Sequence, residues 1–161
     1  MKAGVVLKNN IKLKLTFELV PDGCWYSNLR HFLSKKDWDK IRQDAYKRAE
    51  GKCMICGRKT TRLEAHERWS YDTEKGMQKL EDVIAVCHDC HSVIHIGFTQ
   101  LKGNEDRAIK HFLKVNSCTY FEYIQELKRA NELNNARNKV GDWVQNIKWL
   151  TDRYGEIKWK L

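Results

Sequence analysis

Proline is nearly absent from this 161-residue sequence, with one residue, and glycine is sparse, with nine. Those counts exclude collagen-like and proline-rich low-complexity chains, and no glutamine/asparagine-rich tract takes their place. No apolar run approaches the ~18 residues that a membrane-spanning helix needs. The opening Met1-Lys2-Ala3-Gly4-Val5-Val6-Leu7-Lys8 has too short an apolar stretch for an export signal, so a cytoplasmic protein is expected. No internal repeat occurs beyond one pair of cysteine knuckles. What the chain does have is 42% hydrophobic residues, enough for a core, and a mean hydropathy of -0.69. It carries 30 Lys+Arg against 21 Asp+Glu, a net charge of +9. Such an excess points to a polyanion partner, either nucleic acid or an acidic membrane surface. The length suits one domain, alone or with an extension.

Cysteine is the informative residue. Four of the six form two C-x-x-C pairs, Cys53-Met54-Ile55-Cys56 and Cys87-His88-Asp89-Cys90, with 30 residues between them. Two such turns can close a tetrahedral four-thiolate zinc site, and Gly57 suits a knuckle that needs positive φ. Cys24 and Cys118 have no close partner in sequence and read as buried small hydrophobes.

Residues 11–19, Ile-Lys-Leu-Lys-Leu-Thr-Phe-Glu-Leu, alternate apolar and polar, which predicts a half-buried strand. Val5-Val6-Leu7 before Asn9-Asn10 is a candidate hairpin partner. Pro21-Asp22-Gly23 reads as a turn. A helix is expected after Ser34 as N-cap, ending at Gly51, with Trp38, Ile41 and Ala45 on its inner face. Helices follow at about 105–115, 119–137 and 140–153, the last ending at Gly155. Glu156–Leu161 alternates again and reads as a short strand against the N-terminal one. The result is an α+β protein without an internal linker. Its parts are an N-terminal strand and basic helix (1–49), a zinc module (50–97) and a C-terminal helical extension on the same domain (98–161).

Charge is unevenly spread. Residues 30–62 hold eleven basic and four acidic groups, +7, whereas 63–100 hold three and seven, -4. An acidic centre beside a basic platform suits a metal-dependent phosphodiester site better than a zinc-ribbon DNA reader, and it disfavours the membrane surface. Within the acidic stretch stand Leu63-Glu64-Ala65-His66-Glu67-Arg68-Trp69, the apolar run after Glu81-Asp82, and Cys87-His88-Asp89-Cys90-His91-Ser92-Val93-Ile94-His95. His91 and His95 lie at i and i+4, on one helix face, where they can share a metal or flank a phosphate.

This combination resembles the HNH endonucleases, which have a ββα-metal fold and, in one branch, a structural zinc held by four cysteines. The matching pattern is C-x-x-C, then L-E-x-H, then an acidic residue before an apolar strand, then C-x-x-C-H-x-x-x-H, over about residues 50–97. The string Cys24-Trp25-Tyr26-Ser27-Asn28-Leu29-Arg30 and the string His66-Glu67-Arg68-Trp69-Ser70-Tyr71-Asp72 look like a small bacterial and phage subgroup. The resemblance implies a ββα-metal zinc module and an endonuclease that hydrolyses DNA phosphodiester bonds in a bacterium or phage-infected host. It implies structural Zn2+ at Cys53, Cys56, Cys87 and Cys90. A second divalent cation, Mg2+ or Mn2+, with Ni2+ or Zn2+ also admitted by imidazole ligands, would sit at His66, His91 and His95. The first motif has two registers. In one, His66 is the general base and Ala65 occupies the preceding ligand position. In the other, His66 is the ligand and Glu67 the base, which fills both roles. Asp82 stands where the family usually has Asn and either orients the base or reaches the metal.

The phosphate contacts expected of the knuckle and helix are Lys47, Arg48, Lys52, Arg58, Lys59 and Arg62, within a wider basic set that includes Arg30, Lys35 and Arg42. Trp69 and Tyr71 are candidates for a substrate groove or for packing. His88 is expected to face solvent, and His31 and His111 to be structural. Phe112, Phe121, Ile124, Leu127, Trp143, Ile147 and Leu150 recur at helical spacing and predict core or a surface for a second copy or a protein partner. Ala65 also motivates a second reading, an inactive HNH-fold module that binds DNA or a protein. DNA is the expected partner, with RNA the other nucleic acid this chemistry admits.

Overall fold

The computed structural model describes residues 13–157. After a 3-10 turn at Asp22–Cys24 come α1 (Leu29–Phe32), α2 (Lys35–Ala49), β1 (Leu63–Asp72), β2 (Met77–Cys87) and α3 (His88–Ile94). Then follow α4 (Ile96–Leu101), α5 (Glu105–Asn116), α6 (Tyr120–Arg137), β3 (Val144–Asn146) and α7 (Lys148–Tyr154). This is an α+β molecule in which a hairpin runs directly into a helix.

The hairpin is the spine. β1 and β2 pair antiparallel, with His66 opposite Ile84 and a bulge between Arg68 and Trp69. β3 adds parallel to the start of β2, pairing Met77 with Val144. Side chains alternate across a strand, so β2 serves two cores. Val83 and Ala85, with Leu80 beyond the bulge, pack against Ile41, Ala45 and Ala49 of α2, Leu29 and Leu33 near α1, and Leu150 of α7. Ile84 and Val86 face the other way, toward α3, α5 and α6, in a core with Phe112 and Tyr123. Full burial of side chains this large contributes roughly 1.5–3 kcal/mol each.

Helix α2 forms where its signals place it. The Ser34 side chain accepts from the Asp37 amide, and Glu50 (φ 49°) and Gly51 (φ 73°) end the helix in left-handed conformations. α6 starts with a reciprocal capping box between Thr119 and Glu122.

Two expectations are corrected. Residues 13–20 form no strand. Their burial does alternate, with Leu15 and Phe17 in the core, and Phe17 stacks on Phe112 at 5.1 Å. The backbone groups, however, are taken by a side chain and a helix end. Asn116 accepts from the Lys14 and Leu15 amides and donates to the Leu15 carbonyl, and the Glu18 amide donates to the Ile94 carbonyl. The helix expected over 140–153 is instead β3 followed by α7, because β2 offers an edge that Val144–Asn146 fills. Gly155 does follow α7 as expected. The candidate hairpin partner at 5–7 lies outside the described residues, as do residues 158–161 of the proposed C-terminal strand. Glu156 and Ile157 are not in a strand. Among the described residues, no helix is long and apolar enough to cross a membrane.

Candidate metal centre

The two knuckles meet where β2 passes into α3. The Cys53 amide donates to the Arg58 carbonyl and the Gly57 amide returns to the Cys53 carbonyl, closing the first turn. Gly57 has the positive φ, 73°, that the knuckle requires. The Met54 amide then donates to the Ala85 carbonyl, which pins this turn against β2. The result places the sulfurs of Cys53, Cys56, Cys87 and Cys90 within 4.8 Å of one another, close enough to hold a metal such as zinc. Cys53 is pushed down to about 4, chiefly by the hydrogen bond from Cys90, whose own thiol is pushed up. Four thiols at this spacing fit a cation that replaces their protons.

Around this cluster lies support that spacing did not reveal. Nε2 of His111 lies 3.1 Å from Sγ of Cys90. Buried Asp89 accepts from Arg58 of the first knuckle at 2.7 Å and from Arg107 of α5 at 2.7 Å. Arg58 is therefore committed to the fold. So is Arg48, which bonds Asp44, Asp82 and the Val83 carbonyl. Lys52 and Lys59 pair through their backbones inside the knuckle, and both residues, like Lys47 and Arg62, are exposed.

A second cluster lies on the face of β1 that meets α3. His66, His91 and His95 bring their ring nitrogens within 4.8 Å of one another. The ring centroids are 5.4 Å (His66–His91), 5.1 Å (His66–His95) and 4.7 Å (His91–His95) apart. α3 supplies His91 from its last turn and His95 as the residue that ends it.

Two carboxylates orient this cluster from outside. Glu18 lies 2.9 Å from Nε2 of His66. Glu64 lies 2.9 Å from Nδ1 of His88 and makes a short contact with Nδ1 of His91. An imidazole whose N–H is given to a carboxylate presents its other nitrogen with a free lone pair, as metal-binding histidines generally do. Burial holds His95 down to about 3, with the neighbouring His66 and His91 adding to the effect. Burial also lowers His91, against the pull of Glu64. Both are thus neutral near pH 7, the form that binds a cation.

Glu67 and Asp82 do not join this group. Glu67 follows His66 on a strand and points to the opposite face. It accepts from the Leu29 amide at 2.9 Å and from the Trp69 indole at 3.0 Å. Burial pushes its carboxyl up to about 7. Asp82 turns to Arg48 of α2 at 3.0 Å. His88 is exposed as expected, and His31 lies edge-on to Phe32. Cys24 is buried and Cys118 partly so. Glu64 could have been found in the sequence, since a position two before His66 on a strand shares its face. Glu18, 48 residues away, carried no such signal.

The histidines open into a groove of about 700 Å³. Trp25, Trp38, Trp69 and Tyr71 line it, together with Arg30, Arg68, Arg129 and Arg137. No family model, curated protein or solved structure matches the chain.

Proposed function

We propose that this protein is a metal-dependent nuclease of HNH type, hydrolysing phosphodiester bonds of DNA, with a structural zinc at Cys53, Cys56, Cys87 and Cys90. The observation that carries the reading is the convergence of His66, His91 and His95, two of them backed by carboxylates, beneath an arginine-lined groove. The ββα order of β1, β2 and α3 and the sequence resemblance over 50–97 support it.

In this reading His91 and His95 hold the catalytic cation. Imidazole ligands favour Zn2+, Co2+, Ni2+ or Mn2+ over Mg2+. Such a cation supplies Lewis acidity to the scissile phosphate. Glu18 keeps Nε2 of His66 protonated, so Nδ1 holds the lone pair that takes a proton from the attacking water. This assigns the base to His66, not Glu67, whose two oxygens are engaged on the other face of the strand. Arg30 and Arg68, at the groove, neutralise the phosphate backbone.

The test is cleavage of circular single-stranded DNA and of supercoiled plasmid across a series of divalent cations. Wild type is expected to cleave. His66→Ala is expected to lose cleavage while keeping the second cation, and His91→Ala to lose both, each with one zinc retained per chain. Both DNAs left intact with every cation across the neutral range overturn the proposal.

A further inference from the structure

The groove over the histidines does not end at them. A second hollow, of about 690 Å³, also has His91 in its wall. Arg30, Trp38, Ala65 and His91 line both hollows. Ala65 is the smallest of the four and contributes only a methyl group to the lining of each hollow. Cations mark both approaches. Arg68 and Arg137 line the first hollow and Lys35 and Arg42 the second, where Arg42 holds Asp39 at 2.7 Å and Glu64 is taken by His88 and His91.

We infer that the two hollows form one track for a single nucleic-acid strand, which crosses at Ala65 with a phosphate against His91. The inference rests on the nuclease reading and names its substrate form. Each hollow has the volume of a small-molecule site, roughly 300–1,000 Å³. That accepts a short extended run of nucleotides and not the body of a duplex. The reactive imidazole lies at the floor, with His66 only 5% exposed, so the phosphate must come down to it. Trp25 supplies a base-stacking face. The residue is 64% exposed, yet its indole N–H donates to the Val20 carbonyl at 3.1 Å, which fixes its orientation at the edge of the groove. Duplex bases are already stacked on one another, whereas the bases of a single strand gain from such a platform. Arg137 is likewise fixed in place, donating to the Leu19 carbonyl and lying 4.3 Å over the Tyr71 ring. The carboxylates in the first hollow are each occupied. Glu18 is on His66, Glu67 on Leu29 and Trp69, and Glu81 on Ser70 and Lys79.

The experiment measures fluorescence anisotropy of a labelled oligothymidine and of the same strand in a duplex, with zinc-loaded protein and no further cation. The single strand is expected to bind at least about tenfold more tightly. Trp25→Ala is expected to weaken single-strand binding about 5–150-fold, the range of one stacking contact, and Trp25→Phe to restore most of it. Arg137→Gln is expected to lower the salt slope by about 0.7. Equal or tighter duplex binding, or single-strand affinity indifferent to Trp25→Ala, overturns the inference. Its failure is separable from that of the nuclease reading. Plasmid nicking with no effect of Trp25→Ala on either readout sinks the track alone. Trp25-dependent single-strand binding without cleavage under any cation sinks the nuclease and leaves the track.

Discussion

Replacing Glu64 by Gln isolates what the carboxylate does for the histidine cluster. Glu64 touches His91 with one oxygen and His88 with the other. The substitution keeps its shape and one carbonyl acceptor but removes the charge. A hydrogen bond to a charged group contributes roughly 1.5–3 kcal/mol and a neutral one about 1. The loss at His91 is therefore about 0.5–2 kcal/mol, or roughly 2–30-fold in affinity for the second cation. Supporting carboxylates at metal sites elsewhere contribute about 10–100-fold, which overlaps the upper part of that range. The assay is a titration of zinc-loaded protein with Co2+, followed by calorimetry and by weak d–d absorption free of sulfur charge transfer. His88→Ala serves as the control. The His88 side chain is 70% exposed and is not one of the three clustered histidines, so its loss should change affinity by less than about threefold. Wild-type Co2+ affinity in Glu64→Gln refutes the reasoning. So does an equal loss in His88→Ala, because Glu64 would then act as a diffuse charge and not by orienting His91.

Three further outcomes are expected. Asp89→Asn breaks the bridge from the second knuckle to Arg58 and Arg107. Because both arginines can return to water, the loss is about 1–2 kcal/mol, a thermal midpoint lowered by roughly 3–8 °C; an unchanged melt contradicts this. Asp44 accepts from Tyr154 and Arg153 of α7 and from Arg48. Burial raises its carboxyl, but the bonds from Tyr154 and Arg153 outweigh burial and hold it below its usual value. A depressed carboxyl contributes stability above its unfolded value near 4 and loses it as pH falls through the folded one. Asp44→Asn should therefore cost about 1 kcal/mol at pH 7, and the difference from wild type in denaturant titrations should vanish in acid below that value. Gly76 has φ 58°, and a Cβ there would lie 2.8 Å from the Asp142 carbonyl oxygen. Gly76→Ala should cost about 2 kcal/mol or more and expose 139–146 to limited proteolysis, since the Val144 amide donates to Gly76. Proteolysis at the wild-type rate would show that β3 is not anchored there.

Helix α2 was readable because Ser34, the spacing of Trp38, Ile41 and Ala45, and Gly51 all agree. The cysteine cluster was readable because its two halves are local turns. His91 and His95 were readable because i and i+4 share a helix face. Strand alternation turns Glu67 away from the face that carries His66, where its oxygens take the Leu29 amide and the Trp69 indole. Glu18 was hidden because its contact with His66 depends on how 13–20 lies across the domain. There, the alternation foretold which side chains are buried but not that Asn116 and Ile94 would take the backbone bonds. β3 was hidden for a related reason. Three residues have no pattern of their own, and only the free edge of β2 makes them a strand.

The clasp of Asn116 on Leu15 sets an order of assembly during synthesis. The two residues are 101 positions apart. At roughly 5–20 residues per second, Leu15 waits about 5–20 s before this anchor leaves the ribosome. By then the hairpin and both cysteine knuckles have long been made. Ile94, which holds the Glu18 amide, has also been made, so Glu18 can lie on His66 before the clasp closes, and Asn116 locks the segment last.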